Sequence, residues 1–210
     1  MPNDLLYKVA LTLVPNIGDV HAKALINRYG SAEGVFKAKK KDLENMEGIG
    51  TVRANSIKSF QDFTSSEAEI QFIEQYKIQP LFITDENYPQ RLLNCYDSPL
   101  LLYYRGTADL NVSKIVSIVG TRNHSEYGKV ICEKLVEDLH NENILIVSGL
   151  AYGIDTIAHK SALKNNLPTV GLLAHGLDRI YPPQNKSLAK QMVENVGLLT
   201  KFLSQTNPDK

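Results

Sequence analysis

The chain reads as a mixed α/β protein, a parallel-sheet core preceded by a small all-helical module. Three observations predict this. Residues 115–119 and 144–147 are short, nearly continuous apolar runs, as strands buried on both faces of a parallel sheet require. Each run ends in small residues and leads into a segment whose apolar side chains recur at helical spacing, the alternation of a βαβ unit. Residues 1–80, by contrast, read as helical and contain an internal echo.

In that echo Asn16-Ile17-Gly18-Asp19-Val20-His21-Ala22 aligns with Gly48-Ile49-Gly50-Thr51-Val52-Arg53-Ala54, repeating Ile, Gly, Val and Ala at the same offsets. This is the helix-hairpin-helix pattern, in which a glycine turn between two helices offers backbone N–H groups to a phosphate. Gly48, Ile49 and Gly50 are the candidate contacts, because the first copy has Asn16 where the second has glycine. Charge favours the alternative, a packing module. Ten Lys and Arg balance ten Asp and Glu over residues 1–80, and the run Lys37, Lys39, Lys40, Lys41 is followed by Asp42, Glu44 and Glu47.

Residues 64–76 read as a further helix. Residues 80–106 read as short strands with a small helix near 88–95, and Pro89 and Pro99 mark turns. The expected organisation is a helix-hairpin-helix module over 1–63, an extension packed on the core over 64–110, and the sheet domain over 111–210.

The first strand-to-helix turn holds Gly120, Thr121 and Arg122, and Ser125 is the predicted N-cap of a helix over 125–141 containing Val130, Ile131, Leu135, Val136 and Leu139. Glycine at 120 permits a sharp turn and close approach of a ligand. A helix starting at the carboxyl end of a strand presents unpaired N–H groups and a positive dipole end, which favours phosphate. Arg122 adds a planar fork able to hold phosphate bidentately; pairing with a carboxylate is its ordinary alternative.

The second turn repeats the design with Ser148, Gly149, Ala151 and Gly153, followed by a helix over 153–165 whose Ile154, Ile157, Ala158 and Leu163 would face the sheet. Ser148 is expected to donate its hydroxyl to a ligand. Asp155, in the first helical turn, reads as a capping and orienting residue; His159, four residues on, shares its face, which would let the carboxylate orient the imidazole, and a structural His159, packed or hydrogen-bonded, is the favoured reading. Two more strands near 169–174 and 197–202 bring the core to four. The last would carry an open edge that invites pairing with other chains.

The 210 residues are 43% hydrophobic with a formal net charge of zero, which suits one or two domains and argues for a local anion pocket over broad electrostatic capture. Cys95 and Cys132 fit neither a metal spacing nor a disulfide framework, so neither metal nor cofactor is predicted, and a reducing compartment is. No apolar run approaches the ~20 residues of a membrane span, and the N-terminal stretch lacks the signal pattern, so a cytoplasmic location is expected.

Taken together, Val119-Gly120-Thr121-Arg122-x-x-Ser125-x-Tyr127-Gly128 and Ser148-Gly149-Leu150-Ala151-x-Gly153-Ile154-Asp155-x-x-Ala158-His159 resemble the DNA-processing DprA/Smf family. Leu177-Asp178-x-x-Tyr181-Pro182-x-x-Asn185 is similar to its next motif, and Tyr88-Pro89, Leu92 and Pro99-Leu100 through Gly106 to the segment before its core. The resemblance implies a Rossmann-like fold behind a helix-hairpin-helix (SAM-like) module, and a binding protein, not an enzyme. It implies single-stranded DNA as ligand and RecA recombinase as the partner that receives it in natural transformation. Carried over by position, Arg122 would contact phosphate, with Gly120, Thr121 and Ser125 shaping its pocket and Ser148, Gly149, Ala151 and Gly153 lining the adjoining loop. Tyr127, Tyr152 and Tyr181 are candidates for base stacking.

Against the family pattern the chain stops early, at Lys210, and Lys201 stands where an acidic residue is expected. An Asn/Arg-rich motif, the remaining strands, and much of the homodimer and RecA surfaces would lie beyond. A LOG-like enzyme that cleaves nucleoside monophosphates would need the same phosphate cradle, but its P-G-G-x-G-T turn and a convincing acid/base pair are missing. A dinucleotide oxidoreductase fits less well, since the first turn is not G-x-G-x-x-G. A purely structural or docking module is the third class.

Overall fold

A computed structural model describes residues 2–208, which fall into two compact units, Met1–Leu101 and Leu102–Lys210.

The first unit contains α1 (Pro2–Leu13), α2 (Asp19–Tyr29), α3 (Ala32–Lys37), α4 (Lys40–Glu44), α5 (Gly50–Ser59), α6 (Phe63–Gln75), the short strand β1 (Gln79–Phe82) and a 3-10 turn over Gln90–Asn94. Local chemistry sets its boundaries. Gly30 ends α2 in the left-handed region at φ +78°, its N–H closing on the Ile26 carbonyl, and Ser31 caps α3 by accepting the Gly34 N–H at 3.0 Å. Val9, Leu11, Leu25, Val35, Leu43 and Ile57 are fully or almost fully buried and form the helical core. Tyr7, Phe36, Phe60 and Phe63 make a cluster with ring centroids 5.5–5.9 Å apart. Two side chains of α2 hold the stretch after the 3-10 turn: Asp19 accepts the Leu100 N–H at 2.9 Å, and Lys23 donates to Ser98 Oγ at 2.9 Å and to the Cys95 and Tyr96 carbonyls.

The second unit is the α/β core. Its elements are β2 (Leu101–Gly106), β3 (Lys114–Ser117), α7 (Glu126–Asp138), β4 (Ile144–Gly149), α8 (Ile154–Lys164), β5 (Thr169–Leu173), α9 (Lys186–Asn195) and β6 (Gly197–Thr200), with a 3-10 turn over Pro183–Asn185. These strands lie in the order β2-β6-β5-β4-β3. β3 to β6 are parallel in sequence order. Right-handed crossovers between such neighbours put α7, α8 and α9 on one face. There Val116, Ile118, Ile144 and Ile146 pack against Cys132, Val136, Ile157 and Ala158, while Leu173 and Leu198 pack against Leu188 and Met192.

Two expectations from the sequence are corrected here. The last parallel strand has no open edge, because β2 pairs antiparallel with β6 in the register Tyr103↔Thr200 to Gly106↔Gly197. That pairing depends on glycine: a Cβ at Gly197 would sit 2.5 Å from the Tyr104 ring, whose hydroxyl lies 3.0 Å from the Val196 carbonyl. The edge falls instead at β3. With β4 as its one neighbour among the described strands, β3 is not buried on both faces. Ile115 and Val116 are half-buried, and Val119 is 80% exposed. For the same reason α7 has an uncovered apolar side, where Tyr127, Val130, Ile131 and Leu135 are exposed while Cys132 and Val136 turn to the core.

Candidate functional site

The site lies at the carboxyl ends of β3, β4 and β5, where the turns before α7 and α8 meet. Ser125 caps α7 by accepting the Gly128 N–H at 3.1 Å. Thr121 turns its hydroxyl back onto the chain, accepting the Asn123 N–H at 3.1 Å, and so shapes the loop. The second turn is locked to the first: the Ile154 N–H donates to the Thr121 carbonyl at 3.2 Å. Gly153 makes this possible at φ +80°, and a Cβ there would stand 2.1 Å from the Thr121 oxygen.

Gly120 serves the same junction. The space its side chain would fill is taken by Ile154, whose Cβ would be 2.6 Å away, so packing and not ligand approach demands glycine at this position. Ser148 also works inward. It is 1% exposed and donates to the Ile118 carbonyl at 2.7 Å, stapling β4 to the end of β3, so its hydroxyl is not offered to a ligand as the sequence suggested.

His159 is packed and hydrogen-bonded, the structural role the sequence favours, but through partners other than Asp155. The Asp155 carboxylate does not hold it; Nε2 lies 2.6 Å from the Gly149 carbonyl and Nδ1 2.7 Å from Thr169 Oγ1. The carbonyl can only accept, so the proton is on Nε2 and the Thr169 hydroxyl donates to Nδ1. Complete burial pushes the His159 pKa down to about 4, against smaller opposing effects of the backbone of Gly149 and Ser148. A neutral imidazole thus fixes the start of the Gly149–Gly153 loop. Asp155 packs its Oδ2 where a Cβ of residue 149 would come within 2.5 Å, which explains Gly149.

In front of this frame is an open cavity of about 280 Å³ lined by Arg122, Gly149, Ala151, Tyr152, His175 and Tyr181, among others. The structure therefore brings Arg122, Gly149 and Ala151 to one concave surface, with Gly120, Thr121, Ser125, Ser148 and Gly153 acting behind it. Arg122 is exposed, and among the described residues no hydrogen bond or ion pair engages its guanidinium. Among the described residues none supplies the carboxylate partner that was its ordinary alternative. Of the three tyrosines proposed for stacking, Tyr152 and Tyr181 line the cavity and Tyr127 does not. Tyr152 hydrogen-bonds Gln184 through its hydroxyl.

Two buttresses carried no individual assignment in the sequence reading. Asn185 is buried and donates to the Leu150 carbonyl at 2.9 Å and to Thr156 Oγ1 at 2.9 Å, holding the 150–156 loop from the following segment. His175 accepts the Tyr181 N–H at 3.3 Å and donates through Nδ1 to the Gly176 carbonyl at 2.9 Å. The Tyr-Pro-x-x-Asn spacing was the available signal for the first, and nothing local marked the second. Among the described residues no cluster of three or more His, Cys, Asp or Glu could hold a metal ion, and no helix is long and apolar enough to cross a membrane.

In the helical unit the two hairpins are nearly equivalent. Asn16 and Gly48 both adopt left-handed backbone, at φ +65° and +79°, a conformation asparagine tolerates better than most residues. Ile49 is buried and its N–H is spent on the Met46 carbonyl at 3.1 Å, as that of Ile17 is on Val14. Of the three proposed contacts, only Gly48 and Gly50 reach the surface. Arg53 lies across both turns, donating through Nε to the Asn16 carbonyl and through Nη1 to the Gly48 carbonyl, each at 3.1 Å.

A parallel α/β core with two fused strand-to-helix turns, combined with paired helical hairpins, defines a Rossmann-like protein with a helix-hairpin-helix module. Residues 79–210 match the family model of DNA recombination-mediator protein A, and residues 8–70 that of the helix-hairpin-helix motif. The chain belongs to the DNA recombination-mediator protein A family. It is 33% identical over 211 residues to Protein Smf of Synechocystis sp., covering 97% of this chain and 52% of that protein. It is 44% identical over 115 residues to DNA processing protein DprA of Streptococcus pneumoniae, covering 55% of this chain and 40% of the relative. The chain thus spans about half the length of these curated relatives. The X-ray structure of the Streptococcus pneumoniae DprA superposes with a TM-score of 0.77 at 29% identity, covering 100% of this chain and 71% of that one. DNA processing protein A of Helicobacter pylori, described for its single-stranded DNA binding mode, gives a TM-score of 0.54 at 29% identity over 64% of this chain and 61% of that one.

Proposed function

We propose that this chain binds single-stranded DNA through its phosphate backbone at the Arg122 cavity, as a binding protein of DNA processing and recombination. The observation that carries this reading is the exposed guanidinium of Arg122, without a protein partner among the described residues, facing a cavity beside two helix starts. A planar cation and backbone N–H groups hold phosphate without reading bases, so affinity would be independent of sequence and sensitive to salt. Gly149 and Ala151 let a strand approach closely, and Tyr152 and Tyr181 supply ring surface for adjacent bases. The Helicobacter pylori relative, described as binding single-stranded DNA, supports the same ligand class.

Family membership extends the proposal to a cytoplasmic role in natural transformation, in which bound strands are protected and passed to RecA by a homodimer. The sheet domain over residues 111–210 is the DNA-binding part, and the hairpins of residues 1–63 act through packing and through the exposed Gly48 and Gly50. The test is fluorescence anisotropy of labelled oligo-dT, titrated with wild type and Arg122→Ala at low and physiological salt, with a nucleoside monophosphate as competitor. Salt-sensitive binding lost in the variant is the expected result. Equal binding by the variant overturns the site, and stoichiometric displacement by the mononucleotide overturns DNA in favour of a nucleotide ligand.

A further inference from the structure

A second concavity, sharing no lining residue with the Arg122 cavity, opens between α9 and the end of β2 and encloses about 520 Å³. Its floor is aliphatic. Leu177, Ile180 and Val193 are half-buried there, packed on the cluster of Leu188, Met192 and Leu198. Its rim is cationic, with Arg105, Arg179, Lys186 and Lys190 set against Asp178 and Glu194.

The local pairing leaves that rim positive. Asp178 is consumed, accepting Arg179 Nε at 2.9 Å, Arg179 Nη2 at 2.7 Å and the Gln205 N–H at 2.9 Å. Lys186 and Lys190 stand four residues apart on α9, an arrangement in which like charges repel. Among the described residues neither lysine has an ion pair or hydrogen bond. Both are exposed.

We propose that this groove docks an acidic segment of a partner protein that carries bulky aliphatic side chains. Carboxylates would meet Lys186 and Lys190, and the aliphatic groups would seat on Leu177, Ile180 and Val193, the combination of apolar anchor and charged rim that peptide grooves use. Nucleic acid suits the groove less well. None of its lining residues is aromatic, so bases would find no ring to stack on, whereas an aliphatic floor rewards aliphatic side chains. The groove thus separates partner docking from the phosphate site, and both could be filled at once.

The probe is a fluorescein-labelled eight-residue peptide of alternating aspartate and leucine, measured by anisotropy against the full chain. A serine–leucine peptide and labelled oligo-dT serve as comparisons. The acidic peptide should bind in a salt-dependent manner and the serine–leucine peptide more weakly. Lys186→Gln combined with Lys190→Gln should weaken the acidic peptide roughly fivefold, as two exposed charge pairs allow. Arg122→Ala should leave peptide binding unchanged while lowering oligo-dT binding, which keeps this proposal separable from the DNA site. Absence of peptide binding, or equal binding by the double variant, overturns it. Loss of oligo-dT binding in the double variant of similar size overturns it in favour of DNA as occupant.

Discussion

The carbonyl of Thr121 accepts the backbone N–H of Ile154 at 3.2 Å, joining the turn after β3 to the turn after β4. The joint tolerates no side chain at Gly153, where φ is +80° and a Cβ would lie 2.1 Å from the Thr121 oxygen and 2.6 Å from that of Arg122. Both contacts are backbone atoms, which cannot rotate away. Gly153→Val should therefore cost about 3 kcal/mol, the sum of a disfavoured backbone angle and a forced shift of the loop. Urea unfolding followed by circular dichroism would read it, and a midpoint within error of wild type would contradict the geometry.

Arg122 shows the opposite balance. With no hydrogen-bond or ion-pair partner among the described residues, its truncation removes no such native interaction, so Arg122→Ala should change stability by less than about 0.5 kcal/mol. Binding of oligo-dT should fall at least tenfold, by the same factor for oligo-dC, because a phosphate contact carries no base information. Arg122→Lys should recover part of the affinity as a point charge without the fork. A variant that loses stability together with binding would mark Arg122 as a structural residue.

The sequence exposed the repeating strand, turn and helix because that pattern is local. Ile144, Leu145 and Ile146 form one run, and Ser125 caps its helix through a contact three residues away. What it hid depended on partners distant in the chain. Residues 101–106 looked like part of an extension, since nothing near them announces pairing with 197–200, about ninety residues later. Ser148 looked available for a ligand and His159 for the Asp155 carboxylate, yet both bond backbone carbonyls, Ile118 and Gly149, and carbonyls leave no trace in a sequence pattern. Glycine was equally ambiguous: at Gly120 it makes room for Ile154 and not for a ligand, while at Gly149 it makes room for Asp155 and also lines the cavity.

Arg53 tests whether the helical unit holds itself together with a residue that resembles a DNA contact. Its guanidinium bridges the carbonyls of Asn16 and Gly48 at 3.1 Å each. Arg53→Ala removes two charge-assisted bonds, which at an exposed site should cost about 1–2 kcal/mol. Amide hydrogen exchange should then speed up around the Asn16 and Gly48 turns while the sheet of the second unit keeps its protection. Unchanged exchange accompanied by weaker oligo-dT binding would instead assign Arg53 to DNA.

His159 gives the fold a defined response to acid. Its pKa in the folded protein is lowered from 6.5 to about 4, chiefly by burial. Between those values the unfolded chain binds a proton that the folded protein refuses, so stability is fully present above about pH 6.5 and declines as pH falls toward 4. The expected loss from this residue between pH 7 and pH 5 is about 2 kcal/mol. Exposed carboxylates held low by cations, such as Glu142 beside Lys114, act mainly at lower pH and should not mask it. His159→Gln keeps a donor for the Gly149 carbonyl but cannot take up the proton. It should be less stable than wild type at pH 7, with a flatter dependence of the urea midpoint between pH 7 and pH 5. A variant with the wild-type slope would mean that another group carries the acid sensitivity and that His159 is already charged in the folded protein.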